Sequence, residues 1–154
     1  MEKGKHFLQK TEYTCGPACM RMVLSDFDIE STEIELKKMM DTNEKTGTTY
    51  ENIITCGIDK YNLYCKSGED GSLELLEYLA KTGWSVIVCY TLGTMPHYAL
   101  YGNSNGQHIF LRDPAFSKRN SITIHKFLKS WRVDMKSFKK LNSFRWYTAF
   151  KDIR

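Results

Sequence analysis

The stretch QKTEYTCGPACMRMVL, residues Gln9–Leu24, decides how the rest of the chain is read. Cys15 is followed by Gly16-Pro17, a turn signal, and then by apolar residues at helical spacing: Ala18, Met22, Val23 and, just beyond, Phe27. The pattern predicts a helix over about 15–27 with Cys15 at or beside its N-terminus. Free N–H groups and the positive end of the helix dipole gather there, and both favour a thiolate over a thiol. Gln9, six residues earlier, can bring an amide N–H₂ to the same place, the kind of donor an oxyanion needs. Downstream stand His97 and, sixteen residues later, Asp113. Imidazole titrates near neutrality and can take a proton from a thiol, while a carboxylate on its other nitrogen fixes the tautomer. A nucleophile, a base, an orienting carboxylate and an oxyanion donor therefore occur in order along the chain.

Outward from this stretch, Ser31–Met40 reads as a second helix capped by Ser31 or Thr32, with Ile34, Leu36, Met39 and Met40 on its apolar side. Thr49 to about Tyr61 reads as a third helix, after the polar loop that contains Gly47, and Leu63–Lys66 as a short strand. Gly71-Ser72 opens a helix through about Lys81 with Leu73, Leu76 and Leu79 on one face, and Gly83 ends it. The continuous apolar run Trp84–Leu92 predicts a central strand. His97–Tyr101 and His108–Arg112 are two more strands, joined by the turn-rich Gly102–Gly106 as an antiparallel hairpin. Ile124–Trp131 reads as a short helix and Phe144–Phe150 as a last strand. Helices first and an antiparallel sheet after them define an α+β protein, with residues 1–154 forming a single domain.

Bulk properties narrow the function classes. No apolar run approaches twenty residues, so no transmembrane helix is expected, and the basic start MEKGKHFLQK lacks the apolar segment of a signal peptide. The five cysteines (Cys15, Cys19, Cys56, Cys65 and Cys89) are odd in number and irregularly spaced, which speaks against a secreted disulfide framework and points to the cytoplasm. No cofactor is expected. A metal site of Cys15, Cys19 and His97 would lack a second ligand cluster, and Cys19, one helical turn after Cys15, is read as a packing residue with a redox partnership as the alternative. The net charge of +4 hides an asymmetry: residues 117–154 hold eleven Lys and Arg against two Asp and Glu. Lys126, Lys129, Arg132, Lys136, Lys139 and Lys140 make either a solvated face or a docking surface for an acidic partner. No nucleic-acid-binding motif accompanies them.

The Gln9–Leu24 stretch resembles the nucleophile segment of the C39 and C39-like cysteine peptidases, whose fold is papain-like. The resemblance continues through Gly47-Thr48-Thr49, through PHYALYG at Pro96–Gly102, through LRDPAF at Leu111–Phe116 and through KFLKSWR at Lys126–Arg132. It implies N-terminal helices packed on a C-terminal antiparallel sheet. By position it implies Cys15 as nucleophile, His97 as general base, Asp113 as the residue orienting His97, and Gln9 as the oxyanion-hole donor. It also implies a peptide or protein substrate, with small residues such as Gly-Gly before the scissile bond. The family's best-known members are domains of ABC transporters, and this chain looks like a stand-alone member without their transmembrane and ATPase regions.

Other readings remain. The same triad serves glutamine deamidases, amidases and acyltransferases, and some C39-like domains bind leader peptides without cutting them. His108, His6 and His125 compete with His97 for the role of base, and Asp113-Pro114 is also an ordinary turn signal. Trp84, Trp131 and Trp146 are read as core residues, with Trp131 also a candidate for lining the cleft.

Overall fold

A computed structural model describes residues 4–153. Met1–Lys3, where the segment read as lacking a signal peptide begins, lie outside the described residues. Helix α1 spans Cys15–Asp26 and is buried on nearly all sides: Ala18, Cys19, Met20, Met22, Val23 and Leu24 are inaccessible to solvent. Pro17 lies in its first turn, where a missing N–H leaves no bond unmade. Helices α2 (Glu33–Met39), α3 (Tyr50–Thr55) and α4 (Leu73–Lys81) begin at Thr32, Thr49 and Ser72. Each of these caps accepts a hydrogen bond from the backbone N–H three residues on. α3 continues as a π-helical turn, Cys56–Lys60, so the long third helix expected to Tyr61 is regular only over its first half. α4 ends at Gly83, whose φ of +93° suits a residue without a Cβ.

The strands are β1 (Tyr64–Gly68), β2 (Ser85–Leu92), β3 (Met95–Ser104), β4 (His108–Arg112) and β5 (Asn120–Thr123), followed by helix α5 (Ile124–Ser130). A two-residue ladder pairs β6 (Arg132–Val133) with β7 (Ser143–Phe144), and β8 (Tyr147–Lys151) closes the chain's main sheet. That sheet is antiparallel throughout, in the order β1-β8-β2-β3-β4-β5. The α+β reading holds. The single strand expected over Phe144–Phe150 is split because Arg145 takes a positive φ of 53°, and the short strand at β5 was not anticipated.

Side chains alternate across the central strands and divide the core in two. Ile87, Cys89, Tyr98 and Leu100 pack with α1, while Val86, Val88, Ala99 and Tyr101 pack with α4 and α5. Ile34 and Met39 correct the reading of α2: both are exposed, and only Leu36 and Met40 of that set are buried. Trp131 is wholly buried, its indole N–H donating to the Trp146 carbonyl at 2.9 Å, so it is core and not cleft lining.

Candidate active site

The site lies where the N-terminus of α1 meets the end of the sheet at which β2 finishes and β3 begins. Cys15 is the first residue of α1 and is partly exposed, whereas Cys19, one turn on, is buried. Thr14 makes no side-chain cap; its hydroxyl instead exchanges hydrogen bonds with Thr11. The first turn of α1 thus keeps its N–H groups free of a side-chain acceptor. Gly16 explains itself by contact: a Cβ there would come within 2.3 Å of Thr48 Oγ1. The loop carrying Gly47-Thr48-Thr49 is pinned against this turn, with the Tyr98 hydroxyl donating to the Thr48 carbonyl at 2.6 Å.

His97 emerges near the start of β3 and is 6% exposed. Its Nε2 donates to Asp113 Oδ1. The Cys15 thiol lies near enough to the ring to favour its protonated form. Burial alone would lower the imidazole's proton affinity; the hydrogen bond to Asp113 and the nearby Cys15 outweigh it and push the His97 pKa up to about 10. Asp113 follows β4 and is wholly buried. Besides His97 it accepts from the Ala115 N–H at 2.9 Å and from the Tyr90 hydroxyl. Tyr90, on β2 directly opposite His97, was not singled out from the sequence, where it looks like one more apolar residue of Trp84–Leu92.

Gln9 is tied to the aspartate segment by its backbone N–H, which donates to the Pro114 carbonyl at 2.8 Å. Its side-chain Nε2 donates one hydrogen to the Thr11 carbonyl at 2.7 Å, and its Oε1 is buried without a partner. The competing histidines sit elsewhere. His108 begins β4, at the far end of that strand from Asp113. His6 bonds the Phe116 carbonyl at 2.7 Å, and His125 is exposed on α5. The other four thiols are less ionisable than a free one: burial pushes Cys56 and Cys65 up to about 11 and Cys89 up to about 12, and Cys19 rises well above the usual value. Among the described residues, no three His, Cys, Asp or Glu side chains are placed to hold a metal ion, and no helix is long and apolar enough to cross a membrane.

The basic segment meets the same end of the sheet at Arg132. Trp131 belongs to the core on one face and Val133 to the core on the other, and the intervening Arg132 carbonyl accepts from Thr91 Oγ1 at 2.6 Å, next to Tyr90. Lys126, Lys129, Arg132, Lys136, Lys139 and Lys140 are all exposed, and among the described residues none of them forms an ion pair.

The fold is shared with solved peptidase domains. The peptidase domain of Streptococcus ComA, a bifunctional ABC transporter of a quorum-sensing pathway, superposes with a TM-score of 0.74 at 18% identity, covering 96% of this chain and 98% of that one. A double-glycine motif protease from an AMS/PCAT transporter, solved in complex with its leader peptide, gives 0.73 at 17% identity, covering 97% and 93%. An uncharacterised protein of Methanothermobacter thermautotrophicus is 30% identical over 111 residues, 72% of each chain. The sequence profile of the C39 peptidases matches residues 3–140, which take in helices α1–α5, strands β1–β6 and the site residues, and the chain belongs to the peptidase C39 family.

Proposed function

We propose that this protein is a cysteine peptidase in which Cys15, His97 and Asp113 act as a triad and Gln9 donates to the oxyanion. The observation that carries the reading is the His97 ring, hydrogen-bonded to Asp113 and with Cys15, at the start of α1, near enough to raise its proton affinity. Proton transfer from Cys15 to His97 leaves a thiolate that attacks the scissile carbonyl carbon. The tetrahedral oxyanion takes the second N–H of the Gln9 amide, the first being held by Thr11, together with the uncapped first turn of α1. His97 returns the proton to the leaving amine, and water releases the acyl group from the sulfur. Asp113, buried and bonded to Nε2, keeps Nδ1 facing the thiol.

We further infer a peptide substrate with small residues such as Gly-Gly before the scissile bond. The support is the structural likeness to a protease of double-glycine motifs bound to its leader peptide. An acidic stretch of that peptide is the partner that the six exposed cations fit, because among the described residues none of them has an ion-pair partner. Residues 1–154 act as one domain, and five free thiols suit a reducing, cytoplasmic setting. The test is a library of peptides with varied residues before the cleavage point and with acidic or neutral flanks, read by mass spectrometry beside Cys15→Ala. Cleavage by the native protein, lost in the variant and weakened by salt for acidic flanks, is expected. Release of ammonia from glutamine peptides with no backbone cleavage would replace the peptidase with an amidase, and unaltered peptides bound equally by both proteins would make it a binding module.

A further inference from the structure

His97 and Asp113 account for only part of the hydrogen bonding at the buried end of the site. Asp113 has no contact with solvent, and an ionised carboxylate in that position must be stabilised by donors. Three groups bring hydrogens to it. His97 Nε2 and the Ala115 N–H both serve Oδ1, and the Tyr90 hydroxyl serves Oδ2. Tyr90 is therefore the group that distinguishes one carboxylate oxygen from the other. Its own position is fixed three ways. It pairs with His97 across the β2–β3 ladder, it stands edge-on to the imidazole at 5.7 Å between ring centres, and it leans on Phe127 of α5 at 6.2 Å.

We propose that Tyr90 is a positioning residue of this site: its hydroxyl anchors Oδ2 so that Oδ1 of Asp113 is held towards His97. The proposal rests on the triad reading above. Without the hydroxyl the carboxylate keeps its burial but loses the donor on one oxygen, and rotation about its last side-chain bond no longer has a preferred end. Burial and the neighbouring Asp113 charge raise the Tyr90 pKa, which keeps the phenol protonated and donating. The other titratable and charged groups around the pair are Cys89 on β2, Cys15 and Cys19 on α1, and Arg112, whose guanidinium is paired with Asp26.

The experiment compares Tyr90→Phe, which keeps the ring, with the native protein and with Asp113→Asn. The His97 ring is followed by NMR against pH, a readout that needs no substrate. In Tyr90→Phe the His97 midpoint should move down by about one pH unit, and in Asp113→Asn by more. On a cleaved peptide, kcat should fall about tenfold with KM unchanged. Adding Tyr90→Phe to Asp113→Asn should change neither quantity further, and this comparison also covers a loss of stability in the single variant. A His97 midpoint the same in Tyr90→Phe as in the native protein would overturn the proposal, even if the native protein cleaves peptides. A lowered midpoint in a protein that cleaves nothing would uphold Tyr90 as the anchor of Asp113 and reject the peptidase reading instead.

Discussion

The two halves of the site are built in opposite ways. On the sheet side, His97, Tyr90 and Asp113 are buried, and both oxygens of the carboxylate are occupied. On the helix side, Cys15 is partly exposed, α1 has no side-chain cap, and Gln9 keeps an unpartnered oxygen. A closed, satisfied network holds a proton acceptor in one orientation with little to reorganise. An open helix terminus leaves donors for a group that arrives from outside. On the proposed reading, the closed half prepares the base and the open half meets the substrate.

The largest expected effect lies where the halves touch. His97→Ala should cut kcat about 10³-fold or more while leaving the far-ultraviolet circular dichroism unchanged. Near-native turnover would break the link between the halves. Gln9→Ala, on the open side, should cost about 10²-fold in kcat with little change in KM, as for loss of one oxyanion donor. A rise in KM alone would make Gln9 a binding residue and not an oxyanion donor. Asp113→Asn, on the closed side, should cost less than loss of Cys15 but should also lower stability by about 1–3 kcal/mol, since buried partners lose their match. The unfolding midpoint in urea separates those two effects.

The smallest effect concerns pH. Folded His97 holds its proton to about 10, above the ordinary 6.5 of the unfolded chain, because its hydrogen bond to Asp113 and the nearby Cys15 outweigh burial. Its contribution to stability is fully present below about pH 6.5 and is lost as pH rises towards 10. The urea midpoint should fall over that window in the native protein and fall less in Asp113→Asn. Equal slopes would remove His97 from the account of stability.

The same contrast explains what could be read in advance. The open half is written locally. Gly16-Pro17 marks a helix start, and the side-chain caps at Thr32, Thr49 and Ser72 act on N–H groups three residues away. Strands β2 and β4 followed their apolar runs closely. The closed half depends on register. Tyr90 reaches Asp113 only because β2 pairs with β3 so that residue 90 faces 97, and because the chain leaves β4 at Arg112 beside them. Nothing in WSVIVCYTL distinguishes that tyrosine from its apolar neighbours. The errors on α2 have a similar origin: a seven-residue helix buries one narrow face, so Ile34 and Met39 fall outside it. The break at Arg145 turns on a positive φ that no glycine or asparagine announced.

The central claim is that one thiol of five is activated by one imidazole. Its most direct test is alkylation by iodoacetamide, resolved cysteine by cysteine with mass spectrometry across pH, in the native protein and in His97→Ala. Cys15 should react at about pH 6, far below the range of an ordinary thiol, while Cys19, Cys56, Cys65 and Cys89 stay inert behind their raised values. The low-pH reaction of Cys15 should then disappear in His97→Ala. A Cys15 that reacts no faster than its four neighbours, or at the same rate with and without the imidazole, would contradict the account.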